Sequence, residues 1–143
     1  MKHPLVESAR KYLGVPFRHR GRSPAGLDCA GLAWLAYADL GYVPPDLRRY
    51  GRTPHRDGLM QAMSDALDAP VWMGRAVARD LLQVGDVVVM RFVEEPHHVA
   101  IVCDSASHGL GLIHCYGNIG YVVEHGLDAM WQARILAVYR RPV

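Results

Sequence analysis

Residues 26–41 read Gly26-Leu27-Asp28-Cys29-Ala30-Gly31-Leu32-Ala33-Trp34-Leu35-Ala36-Tyr37-Ala38-Asp39-Leu40-Gly41, and this stretch decides how the rest of the chain is read. Asp28 is suited to the N-cap, because its carboxylate accepts from the free N–H groups of a first helical turn. Gly41 is suited to the C′ position, where a helix ends in a left-handed residue. Between them Leu32, Leu35, Ala36 and Leu40 recur at helical spacing, and Trp34 and Tyr37 widen the apolar surface. The helix is apolar nearly all round, so burial is expected. Cys29 then sits in its first turn, at the positive end of the macrodipole, where a thiolate is favoured over a thiol. That makes Cys29 the candidate nucleophile, set against the plainer reading of a small buried hydrophobe.

The chain has 143 residues, which fits one domain over 1–143 with a core of its own. Hydrophobic residues make up 50% and charged residues 21%, the proportions of a globular protein. A net charge of +2 argues against a nucleic-acid partner. The densest basic spot is Arg18, Arg20 and Arg22, interleaved with His19. Three cysteines at irregular spacing form no CxxC pair, so neither a zinc ribbon nor a disulfide framework is expected. No run reaches transmembrane length and the N-terminus lacks an apolar signal core, so membrane insertion is not expected. The expectation is a protein made in the bacterial cytoplasm that does not leave by the general secretory route on its own sequence.

In chain order, residues 4–13 are expected to form a short helix with Pro4 in its first turn and Gly14 at its end. Residues 15–17 are an extended connector and 18–26 a polar loop. Residues 42–58 are broken by Pro44, Pro45, Gly51, Pro54 and Gly58, and a loop of that length often serves as a lid or a binding loop. Residues 59–67 read as an amphipathic helix with Met60, Met63 and Leu67 on one side. Strands are expected over 87–92, 97–103, 112–116, 120–124 and 134–140, the first marked by its β-branched run. Short connections favour antiparallel neighbours. Helices followed by a meander of about five strands give an α+β fold.

A cysteine nucleophile needs a base, and the base needs an orienting partner. His98 opens the second of these strands and His114 lies in the third. His97 competes with His98, since successive strand residues face opposite ways. His98 is preferred because Ala100 and Val102 share its face, which is read as the side against the helix. A metal hydrolase using His97, His98, His114 and His125 with Cys115 is disfavoured, because these residues lack HxH or HExxH spacing. No cofactor is expected.

Five pieces in order resemble the NlpC-type cell-wall cysteine peptidases. Leu27-Asp28-Cys29-Ala30-Gly31-Leu32 resembles that family's Asp-Cys-Ser-Gly-Leu motif. Tyr12-Leu13-Gly14-Val15-Pro16-Phe17 resembles its Leu-Gly-x-Pro-Tyr entry, and Val84-Gly85-Asp86-Val87 its Pro-Gly-Asp-Leu. His98-Val99-Ala100-Ile101 and Ile113-His114 resemble its His-Val-Gly-Ile and Ile-His strands. The resemblance implies a papain-like fold. It also implies a triad of Cys29 as nucleophile, His98 as base and His114 as the residue orienting His98. The implied substrate is the peptide stem of bacterial peptidoglycan, with Phe17, Asp28, Arg20 and Arg22 as candidate substrate contacts. The loop Arg18-His19-Arg20-Gly21-Arg22-Ser23-Pro24-Ala25-Gly26 is more similar to the branch found among phage and prophage tail proteins. Delivery in a tail, with other tail-tip proteins as partners, is the corresponding expectation.

Two positions depart from the pattern. Ala30 replaces the serine after the cysteine, which a helix tolerates. Phe17 replaces a tyrosine and so removes a hydroxyl near the oxyanion site, where loss of one donor can raise a barrier by about 2.7–4 kcal/mol. The alternative function is therefore a weak or inactive structural component of a tail tip. Transfer of the acyl group to an amine instead of water is a further alternative.

Overall fold

Asp86 opens the sheet that positions the site. Its carboxylate is buried and takes two bonds from Arg140, at 2.7 and 2.8 Å, and one from the Gln83 N–H at 2.8 Å. These bonds fix the turn at Gly85, whose φ of 94° suits glycine, and launch the β-branched run that follows. The computed structural model describes residues 2–45, 58–92 and 96–143, with the side chains of Pro96 and His97 left out. Most of the expected 42–58 loop lies outside the described residues.

The elements in order are α1 (Pro4–Arg10), β1 (Arg22–Ser23), β2 (Gly26–Leu27), α2 (Cys29–Ala38), α3 (Leu59–Leu67), β3 (Trp72–Met73), β4 (Val87–Arg91), β5 (Pro96–Ser105), β6 (Gly109–His114), β7 (Val123–Gly126), α4 (Ala129–Gln132) and β8 (Ile135–Tyr139). The main sheet has six antiparallel strands in the order β3-β8-β4-β5-β6-β7. The architecture is α+β, as expected. The added strand is β3, a two-residue edge pairing with β8, too short to leave a run in the sequence.

Each sheet face has its own core. Val87, Val89, Val99, Ile101, Ile113 and Tyr139 pack under the helices, against Leu5, Val6, Leu32 and Ala36. Val88, Met90, Ala100, Val102, Leu112 and Ile135 pack on the other face, against Leu127 and Leu82. α2 is buried on most of its circumference, and the Ser8 hydroxyl of α1 donates to its Ala36 carbonyl at 2.8 Å. The buried stripe of α3 is Leu59, Met63 and Leu67, one position off the expected Met60, Met63, Leu67.

Two expectations need correction. Ala100 and Val102 do share a face, but it is the face away from α2. Both faces of β5 are apolar, so alternation could not tell them apart. The strand expected over 120–124 begins at Val123 instead. The residues before it pair with the connector at 14–17: Gly14 N–H donates to Val122 O at 2.9 Å, Val122 N–H to Val15 O at 2.9 Å, and Phe17 N–H to Gly120 O at 2.8 Å.

Candidate active site

Asp28 builds the corner that presents the cysteine. One carboxylate oxygen accepts from Gly31 N–H at 2.8 Å and from Arg22 Nη1 at 2.9 Å, and the other from Arg20 N–H at 2.9 Å. It caps α2 and also ties down the loop that precedes it. Arg22 and Asp28 side chains are only 4% and 5% exposed. They face each other inside the corner as an ion pair at 2.9 Å. Arg20 remains exposed, with φ of 62° and its Nε 3.3 Å from His19 Nε2. Phe17 is half-buried against the helix-side core and bridges to Leu27, so it holds the strand entering the corner.

Gly31 is what lets the loop close on the helix. A Cβ there would stand 2.0 Å from the Gly21 carbonyl oxygen. Gly31→Ala is expected to destabilise the protein by about 1–3 kcal/mol, as overpacking against backbone does. A drop in the urea midpoint at unchanged m-value checks this.

Cys29 is half-buried at the first position of α2. The backbone N–H groups of Ala30 and Val99 point at its sulfur, and Val99 directly follows His98. These donors and Arg22 favour the thiolate, but burial outweighs them. Burial, with Asp28 adding to it, pushes the thiol up to about 12. Burial therefore works against the thiolate that the helix position favours, and a base beside the sulfur would have a proton to take. Burial pushes Cys103 and Cys115 up to about 12 as well; both lie in the core, and the Cys115 thiol reaches Leu27 O at 3.3 Å.

The histidines come together through strand register. Ile101 stands opposite Ile113 in β5–β6, and continuing that register sets Ala100 opposite His114 and His98 diagonal to it. Leu112 stands opposite His125 in β6–β7, so His125 is diagonal to His114 on the other side. Diagonal same-face neighbours are within reach of aromatic side chains. His98 Nε2 lies 2.7 Å from His114 Nδ1, and His114 Nε2 lies 2.7 Å from His125 Nε2. The chain ends with His125 Nδ1 at 2.9 Å from Gly126 O. Phe92 stacks on His98 with centroids 5.0 Å apart, Tyr116 on His114 at 5.3 Å, and Trp131 covers His125 at 5.1 Å. Among the described residues no three His, Cys, Asp or Glu side chains converge to hold a metal ion. The histidine nitrogens bond to one another in line.

The match to a family model decides what this arrangement belongs to. The model described as the NlpC/P60 family covers residues 14–140, from the connector through the last strand. The chain belongs to the NlpC/P60 family. A probable endopeptidase of Corynebacterium glutamicum is 30% identical over 88% of this chain and 48% of its own length. The chain thus spans about half the length of that curated relative. Among solved structures, the NlpC/p60 domain of the peptidoglycan hydrolase SagA matches with a TM-score of 0.61 at 20% identity, covering 96% of both chains. An NlpC/P60 family protein from Bacillus cereus matches with a TM-score of 0.65 at 21% identity, over 96% of this chain and 39% of that one. These likenesses establish the papain-like NlpC/P60 fold.

In this NlpC/P60 chain His114 lies in the middle of the histidine chain and is fully buried. Burial, with His125 beside it, lowers its pKa from 6.5 to about 3. The native state therefore binds fewer protons than the unfolded chain, so the stability is present above 6.5 and is lost as pH falls towards 3. Stability is expected to fall by about 1.4 kcal/mol per pH unit below 6.5, or roughly 3 kcal/mol by pH 4.5. Urea titrations across that range test it, and His114→Asn should flatten the slope.

Proposed function

We propose that this chain is a cysteine endopeptidase that hydrolyses the peptide stem of bacterial peptidoglycan, made in the cytoplasm and carried in a phage or phage-like tail. The observation that carries the enzymatic reading is Cys29 at the start of α2, with the N–H next to His98 on its sulfur and His98 at the head of a histidine chain. Cys29 Sγ attacks the scissile carbonyl as its proton passes to His98 Nδ1. The Cys29 backbone N–H supports the oxyanion. His98 then gives that proton to the leaving amine as the C–N bond breaks. Water adds to the thioester, returns a proton through His98, and frees the sulfur.

The relatives named as a probable endopeptidase and a peptidoglycan hydrolase support the substrate class. The form of the 18–26 loop supports the tail setting. Phe17, with no hydroxyl to offer an oxyanion, favours the second reading, a structural tail-tip component with little activity. Digestion of purified peptidoglycan, read by mass spectrometry, separates the two. Stem-peptide fragments that Cys29→Ala does not produce support the peptidase; no fragments from either protein support the structural component. Mass spectrometry of tail particles from the encoding strain tests the tail setting, and particles lacking this chain would remove it.

A further inference from the structure

The histidine chain has a third ring beyond the Cys29, His98 and His114 set, and its hydrogen bonds have one consistent direction. Gly126 O can only accept, so His125 Nδ1, 2.9 Å away, bears a proton. In the neutral tautomer that this selects, the lone pair is on Nε2 and accepts from His114 Nε2–H at 2.7 Å. His114 Nδ1 in turn accepts from His98 Nε2–H at 2.7 Å. His98 is left with its lone pair on Nδ1, the nitrogen a general base needs. The buried place of His114, with its ionisation pushed down to about 3, agrees with a neutral ring in the middle of the chain.

We propose that His125 is a positioning residue: anchored on the Gly126 carbonyl, it fixes through His114 the tautomer in which His98 presents Nδ1 as base to Cys29. The proposal rests on the reading of Cys29 and His98 as nucleophile and base. His125 touches no reacting atom. It gives the His114 Nε2–H an acceptor, so that His114 Nδ1 stays free to receive the His98 Nε2–H while His98 carries its second proton. Without that acceptor His114 is free to take its proton on Nδ1. His98 is then driven to the tautomer that cannot accept from a thiol, and a wrongly held tautomer lowers turnover rather than binding.

The test reads ring nitrogens directly, by 15N–1H correlation spectra of the 15N-labelled protein at neutral pH. The wild type should show Nε2–H tautomers at His98 and His114 and the Nδ1–H tautomer at His125. His125→Ala should lose the single tautomer at His114. His125→Gln, whose side-chain oxygen still accepts, should keep it. On peptidoglycan, His125→Ala should lower kcat about tenfold or more with little change in KM, and His125→Gln should restore most of it. An Nδ1–H tautomer at His98 or His114 in the wild type would overturn the proposal. So would a His125→Ala protein with unchanged ring signals and kcat. If His125→Ala does not fold, the wild-type and Gln spectra decide. Peptidoglycan left uncleaved by the wild type would count against the peptidase reading, while the tautomers still decide the role of His125.

Discussion

Cys29→Ala is expected to abolish stem-peptide cleavage, and His98→Ala to slow it by about 10²–10⁴-fold, with both proteins folded. The asymmetry follows from the state of the thiol. Burial pushes the Cys29 thiol up to about 12, against the pull of the helix N-terminus. Without the sulfur there is no covalent route. Without His98 the route survives, but it waits on the minute fraction of protein that loses the proton to solvent. Raising the pH should therefore recover part of the His98→Ala activity and none of the Cys29→Ala activity. Turnover of peptidoglycan fragments between pH 6 and 10, with the fold followed by circular dichroism, checks both.

The second large effect concerns stability. Asp28→Asn should cost about 1.5–3 kcal/mol, because it removes the charge from the carboxylate that the buried Arg22 guanidinium bonds to. That is a large share of the total stability of an ordinary domain. Asp28 also holds the N–H groups of Gly31 and Arg20, so the loss reaches the helix cap and the loop together. Pairing the change with Arg22→Met removes both halves of the ion pair, and the double variant should lose less than the sum of the two single changes. The two single variants and the double form a cycle read by urea unfolding. Additive losses would show that the two side chains do not act as a pair.

How much of this was legible in the sequence varies by element. α2 was readable from its Asp28 cap, its helical repeat and Gly41, which takes φ of 92°. β4 was readable from three successive valines. The short elements were not: β3 has two residues and α4 four, although Asp128 does cap α4 by accepting from the Trp131 N–H. His98 was picked over His97 by a face argument that had the sides reversed, because β5 is apolar on both. His125 lies just past the strand expected over 120–124 and enters the sequence reading only as a ligand of the disfavoured metal site. Its place in the chain depends on two registers, 98 to 114 and 114 to 125, that no local pattern reveals. The burial that opposes a Cys29 thiolate was not legible for a related reason. The helix position is a sequence property, whereas the burial that outweighs it belongs to the folded corner.

The most direct measurement of the central claim, that His98 activates Cys29, is the rate of Cys29 alkylation by iodoacetamide at neutral pH, in the wild type and in His98→Ala. Peptide mass spectrometry resolves Cys29 from Cys103 and Cys115. Cys29 is expected to be modified well ahead of the two core cysteines, and His98→Ala to slow it at least tenfold. A Cys29 rate untouched by His98→Ala would contradict the claim, since the sulfur would then owe its reactivity to exposure and the helix end alone.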